Sequence, residues 1–116
     1  MESKEAVAAL SALAQPARLE VFRLLVQAGP EGMAAGQIAA AARVPPSTLS
    51  ANLNILAAAG LVAPRRDGRR IIYVAGYEAM QRLLAFLLED CCAGRPEICG
   101  PLTREASSAC APAVRC

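Results

Sequence analysis

Apolar residues recur at helical spacing in most of the chain, which predicts a mainly helical fold. Pro16 suits the first turn of a helix, where its missing N–H costs nothing, and Pro45-Pro46 separates two helices. Gly29 and Gly60 end the helices that precede them. The predicted helices span residues 2–14, 16–28, 34–42, about 46–59 and 77–92.

The apolar spacing also predicts which sides of the helices are buried. In the helix at 16–28, Leu19, Phe22 and Val26 are expected inward, and Arg18 and Arg23 outward. The helix at 46–59 should bury three leucines, and its outward residues are small and polar. The buried set is Leu49, Leu53 and Leu56, and the outward set is Ser47, Thr48, Ser50, Ala51, Asn52 and Asn54.

Between residues 61 and 75 the pattern becomes that of a β-hairpin. Two runs, 61–66 and 69–75, flank Asp67-Gly68, a strong hairpin signal. Pro64 predicts that its strand lies at an edge. The segment holds four arginines and one aspartate, and the rest of the chain is close to neutral, so a focused basic patch indicates nucleic-acid binding. The arginines are Arg65, Arg66, Arg69 and Arg70.

The amino-acid composition further limits the kinds of protein that this chain can be. The chain has 116 residues, enough for one domain. Aromatic residues make up 3% and alanines number 26, which favours helices in close contact and apolar surface buried against a second copy. The sequence has no run of about twenty apolar residues, so no membrane span is predicted. Its acidic N-terminus is unlike a signal peptide. A cytoplasmic location is therefore expected. The absence of His excludes His-based catalysis and His-containing metal sites.

A short helix, a tight turn, a second helix with a polar outer side and an arginine-tipped hairpin describe a winged helix-turn-helix. Hydroxyls and amides of the second helix can reach base edges in the major groove. The hairpin arginines would lie beside phosphates or the adjacent minor groove. The function predicted from this order is binding of double-stranded DNA.

Four stretches match a known family: residues 12–19, Ser47 to Leu53, Gly60-Leu61-Val62, and Arg65 to Arg70 with Tyr73. Through these stretches the sequence resembles the ArsR/SmtB metalloregulatory repressors over residues 5–92. The resemblance implies a homodimer through the first and last helices that releases its operator when metal binds, and two-fold symmetry predicts that the operator is an inverted repeat. The apolar stripe at 80–91 agrees with a dimer, because it is wider than the core of one monomer needs. The expected interface residues are Val7, Leu10, Met80, Leu84 and Leu87.

The chain departs from the family pattern at three places. Gln15-Pro16-Ala17-Arg18 stands where the family often has Asp-Pro-Thr-Arg, which weakens the expected cap. Ala51 and Asn52 stand where histidines are common in the recognition helix, so Asn52 and Asn54 become the candidates for base readout and Ala51 for a thymine methyl. Pro45 and Pro46 replace polar residues. The predicted domain covers 1–92, with a Cys/Pro/Ala-rich tail over 93–116.

All five cysteines lie in the last 26 residues, where they indicate metal or redox chemistry. The helix at 34–42 has no Cys and the last helix has no His, so two sensor sites known in relatives are absent. Cys91, Cys92 and Cys99 remain, and three thiolates suit a soft ion. The family's arsenic sensors imply a trigonal site for As(III) or Sb(III). Cys110 and Cys116 are expected to be spectators or spare ligands for metal transfer.

Other interpretations of the cysteines stay open. The same scaffold could carry a thiol redox sensor, with a disulfide between Cys99 and Cys110 or Cys116. A sensor of another soft metal or of a methylated arsenical, which needs two sulfurs, is a further alternative. An enzyme with a Cys nucleophile, such as an arsenate reductase, is disfavoured because no His base or glycine-rich anion loop accompanies any cysteine.

Overall fold

A computed structural model describes residues 1–88 and confirms a mainly helical winged fold with a small antiparallel sheet. Its contacts define one compact unit over Met1–Phe86; the second, Leu87–Cys116, lies almost wholly outside the described residues, so the predicted division at residue 92 stays a prediction. The helices are α1 (Ser3–Leu13), α2 (Pro16–Ala28), α3 (Ala35–Ala42), α4 (Pro46–Ala58) and α5 (Tyr77–Leu88), the strands are β1 (Met33–Ala34), β2 (Val62–Asp67) and β3 (Arg70–Ala75), and a 3-10 turn covers Gly29–Glu31.

The junction between α1 and α2 is closed by side chains. The Gln15 side-chain oxygen accepts a hydrogen bond from the backbone N–H of Arg18 at 2.9 Å, so the glutamine caps α2 as an aspartate would. The Arg18 guanidinium Nε donates to the carbonyl oxygen of Ala12 at 2.7 Å. Arg18 is therefore half-buried and ties α2 to the end of α1, rather than pointing into solvent as predicted.

The core is built from aliphatic side chains of every helix together with the ring of Phe22. The buried residues of α1 are Ala6, Ala9 and Ala12, whose small side chains allow α1 to lie close to its neighbours, and Leu13 packs half-buried against the core. The leucines predicted for α4 are buried, and Leu83 of α5 joins them. The largest fully buried side chains are Val21, Leu25, Ile38, Leu49, Leu53, Leu56 and Leu61.

The prediction for Leu19 is wrong, because its side chain is 44% exposed. The buried face of α2 is centred on Val21 and Leu25. At 100° per residue, Leu19 falls well to the side of that face, whereas Phe22 lies within it. Val26 lies between these extremes and is half-buried against the core.

The sheet has the order β1-β3-β2, with antiparallel pairs throughout. Pro64 of β2 lies opposite Tyr73 of β3. Within residues 1–88, β2 pairs only with β3, so it is an edge strand, as Pro64 predicted. The two-residue β1 was not predicted, because so short a strand has no alternating pattern. Gly32, with φ +69°, precedes β1 and packs directly on the Tyr73 carbonyl. No helix in residues 1–88 has the length and hydrophobicity to cross a membrane.

Candidate nucleic-acid interface

The helix-turn-helix consists of α3, a three-residue turn and α4. Arg43 ends α3 in the left-handed conformation, with φ 56° and ψ 47°. The next amide, of Val44, donates to the Ala39 carbonyl at 3.1 Å and closes the turn. Pro46 then begins α4 at a position that needs no N–H donor. The turn thus directs α4 away from α3 while Ile38 and Leu49 stay in one core.

The outer face of α4 carries short polar and small side chains. Five of the six residues predicted to face outward are exposed, which leaves their hydroxyl, amide and methyl groups accessible from solvent. We name this set the reading face: Ser47, Thr48, Ser50, Ala51 and Asn54. All side chains of the reading face are short, so none of them would keep the helix backbone away from the base edges in a DNA groove.

Asn52 is the exception, and the expectation of an outward position is wrong. Its side chain is 6% exposed and joins the buried side of α4. The amide nitrogen Nδ2 has no hydrogen-bond partner among the described residues. Asn52 lies one helical turn after Leu49 and one before Leu56, so it belongs to the buried face of α4. Its polar side chain led to the wrong prediction, because asparagine is mostly exposed in proteins.

The wing is the hairpin of β2 and β3, turned by Gly68 at φ +64°. Asp67 and Arg70 face each other across the turn, with 3.9 Å between carboxylate and guanidinium, and both are well exposed. An exposed pair at this distance contributes little to stability. Arg66 and Arg69 are exposed and make no hydrogen bond or ion pair within residues 1–88. The tip therefore presents a positive surface to solvent.

Arg65 is held differently from the other wing arginines. Its Nη1 donates to the carbonyl oxygen of Pro30 at 2.8 Å, and its Nη2 donates to that of Glu31 at 3.0 Å. No sequence pattern signals this contact, because the partners are backbone atoms 34 and 35 residues away. Arg65, predicted to contact DNA, is thus bound to the protein's own 3-10 turn.

The residues predicted for a dimer interface are apolar and largely solvent-facing in the single chain. On α1, Val7 is 61% exposed and Leu10 is 42% exposed, on the side opposite the buried alanines. On α5, Leu84 and Leu87 are nearly half exposed, and Met80 is half-buried. Large aliphatic groups outside and alanines inside invert the usual arrangement of a solvent-facing helix.

The predicted thiol site, Cys91, Cys92 and Cys99, lies outside the described residues. Residues 1–88 contain no cysteine and no cluster of three potential metal ligands.

Known proteins resemble this chain in the region that contains the helix-turn-helix. A family profile described as a helix-turn-helix domain matches residues 13–65. The nodulation protein NolR of Rhizobium meliloti is 38% identical over 78 residues, which are 67% of this chain and 62% of NolR. This chain therefore spans less than two-thirds of the length of NolR.

Two solved structures extend the comparison. One is the homodimeric winged helix-turn-helix DNA-binding domain of Mb0332 from Mycobacterium bovis, a possible ArsR-family transcriptional regulator, with 37% identity and a TM-score of 0.62 over 72% of this chain and 75% of that chain. The other, a possible transcriptional regulator for arsenical resistance, is 32% identical with a TM-score of 0.57 over 67% of this chain and 78% of that chain. With this identity, coverage and shared fold, the chain belongs to the ArsR family of winged helix-turn-helix transcriptional regulators.

Proposed function

We propose that this chain is a dimeric repressor that binds operator DNA and is released when trivalent arsenic or antimony binds Cys91, Cys92 and Cys99. The observation that carries the DNA-binding part is the combination of an exposed reading face on α4 with an exposed arginine wing in one compact unit. Either surface alone is common on proteins. Together they match the two contacts that a winged helix makes with a duplex.

In the proposed complex, α4 enters the major groove. Ser47 and Thr48, in the first turn of α4, are suited to phosphates or base edges, and Asn54 can pair with adenine in the bidentate manner of an amide. The methyl group of Ala51 suits a thymine methyl. Arg66, Arg69 and Arg70 supply positive charge beside the phosphates or in the minor groove.

The exposed apolar residues of α1 and α5 support a homodimer. Val7, Leu10, Leu84 and Leu87 remain in water in the single chain, and covering them by a second copy would remove apolar surface from solvent. The Mycobacterium bovis domain is itself homodimeric. A two-fold dimer presents two copies of α4, so the operator should be an inverted repeat with half-sites about one helical turn apart.

The proposed inducer follows from the thiols in the sequence. Three cysteines at 91, 92 and 99, with no histidine in the chain, provide only soft sulfur ligands. Trivalent arsenic and antimony prefer such ligands, and a related structure is a possible regulator for arsenical resistance. In the sequence, the vicinal pair begins three residues after Leu88, where α5 ends.

Release is explained by linkage between two binding sites. A metalloid that binds one dimer geometry better than another shifts the population toward the geometry it prefers. If that geometry separates the two α4 helices from successive major grooves, DNA affinity falls. A coupling of about 1–3 kcal/mol would lower operator affinity by roughly 5- to 150-fold.

A reporter assay tests the proposal in cells. The DNA upstream of the protein's own gene drives a reporter, with the protein supplied in trans. We expect the protein to lower reporter output and arsenite to restore it, whereas zinc should not. Restoration by peroxide alone would support the redox alternative, and restoration by a methylated arsenical alone would indicate a two-sulfur site. No repression in the absence of inducer would contradict the proposal.

A further inference from the structure

The guanidinium of Arg65 joins two parts of the fold that the backbone pairing leaves apart. β2 is an edge strand, hydrogen-bonded only to β3 within residues 1–88, and β1 lies on the other side of β3. The Arg65 side chain leaves β2 and binds the Pro30 and Glu31 carbonyls, three and two residues before Met33, where β1 begins. This contact, which we name the wing clamp, therefore connects the wing to the segment that leads into α3.

The wing clamp uses the shape of arginine as well as its charge. Two nitrogens of one planar group donate to two successive carbonyl oxygens, at 2.8 and 3.0 Å. Such a fork fixes both the distance and the orientation of the groups it joins. Lysine has one ammonium on a flexible stem and cannot hold two carbonyls in the same way.

The turn at the other end of the wing clamp is itself tightly placed. Gly32 follows Glu31 with φ +69°, and a Cβ there would overlap the Tyr73 carbonyl oxygen of β3. The Gly32 amide donates to the Gly29 carbonyl at 3.1 Å. The carbonyls that Arg65 binds thus belong to a segment fixed against the sheet, so they can serve as an anchor for the wing.

We infer that Arg65 is a positioning residue, which orients the wing for DNA, and that Arg66 and Arg69 are the phosphate-facing arginines. This assignment deepens the proposed DNA-binding function and depends on it. For the structural readout by amide exchange, Arg66 is the matched comparison, because it neighbours Arg65 on the same strand, carries the same charge and makes no hydrogen bond within the described residues.

The DNA-binding test compares Arg65→Lys with Arg23→Lys, since both keep the charge and Arg23 is exposed on α2, outside the reading face and the wing. We expect Arg23→Lys to bind upstream DNA within about twofold of wild type. Arg65→Lys should bind about fivefold more weakly, because it loses two oriented hydrogen bonds. Arg66→Ala should lower the slope of log affinity against log salt concentration by about one, because one phosphate contact is lost. Equal affinity of Arg65→Lys and Arg23→Lys would overturn the inference.

Amide hydrogen exchange of the DNA-free protein provides a second readout. We expect Arg65→Lys to speed exchange at Gly32 and in β1 by about fivefold, because the anchoring bonds are weakened, while Arg66→Lys leaves it unchanged. Unchanged exchange in Arg65→Lys would overturn the wing clamp even if wild type bound no DNA. Absence of DNA binding by wild type, with faster exchange in Arg65→Lys, would overturn the proposed function and support the wing clamp.

Discussion

Two asparagines of the same helix have opposite environments. Asn52 is buried with its Nδ2 unpaired in the described part of the chain, whereas Asn54 is exposed on the reading face. A buried donor without an acceptor loses its bonds to water and gains none in return. Asn52 therefore destabilises the fold in this arrangement, and Asn54 is the asparagine positioned to read a base.

Replacement by leucine separates these roles. Asn52→Leu should raise the free energy of unfolding by about 1 kcal/mol, because it removes the unpaired amide and keeps a similar volume. Asn54→Leu should leave stability nearly unchanged but weaken operator binding, since a base contact is lost. Thermal unfolding and DNA titration measure both effects. A lower melting temperature for Asn52→Leu would show that its amide is satisfied.

Gly76 joins β3 to α5 at a point of close backbone approach. Its amide donates to the Leu61 carbonyl at 2.7 Å, and a Cβ on Gly76 would overlap the Gly60 carbonyl oxygen. Gly76→Ala should therefore destabilise the fold by about 1–3 kcal/mol through overpacking. Gly36→Ala is the control: it lies in α3, where an added Cβ would meet no atom within 4 Å, and should stabilise by up to about 1 kcal/mol. Urea unfolding distinguishes them, and equal effects would contradict the close approach at Gly76.

At the scale of elements, sequence patterns predicted most helices and strands because proline and glycine mark their ends. Pro16 and Pro46 begin α2 and α4 as expected. The hydrophobic periodicity predicted less reliably which residues of a helix are buried, because Leu19 is exposed and Asn52 is buried. Whether a residue at the border of the buried face is covered depends on the elements that pack beside the helix.

Contacts between distant segments could not be predicted from the sequence. The wing clamp depends on backbone carbonyls far from Arg65 in the chain, and β1 on pairing of only two residues. Residue type suggested DNA for Arg65, but the structure brings its guanidinium to the 3-10 turn. The reading face was largely predictable, because short polar side chains between buried leucines already define an outer side.

The exposed apolar residues of α1 and α5 give a prediction about assembly. Leu84→Glu should convert the proposed dimer to a monomer, because an unpaired carboxylate would be buried in the interface. Leu19→Glu is the matched control, since Leu19 is equally apolar and 44% exposed but lies on α2. Sedimentation velocity reports the mass of each variant. A dimeric Leu84→Glu protein, or a monomeric Leu19→Glu protein, would place the interface elsewhere.

At the scale of the whole molecule, the proposed mechanism links a thiol site to the DNA-binding surface through the dimer. Cys99→Ser should keep operator affinity but lose most of the arsenite response, because the third sulfur is removed. Cys110→Ser is the control and should respond as wild type does. Operator binding with and without arsenite measures both variants. A normal response of Cys99→Ser would mean that the third ligand is another residue or is unnecessary.

The most direct test of arsenic-responsive repression is fluorescence anisotropy of the reduced protein on labelled DNA from upstream of its own gene, titrated with arsenite. We predict tight binding without arsenite and release as arsenite saturates the thiols, with operator affinity lowered by roughly 5- to 150-fold. Tight binding that arsenite leaves unchanged would contradict arsenic-responsive repression by this protein.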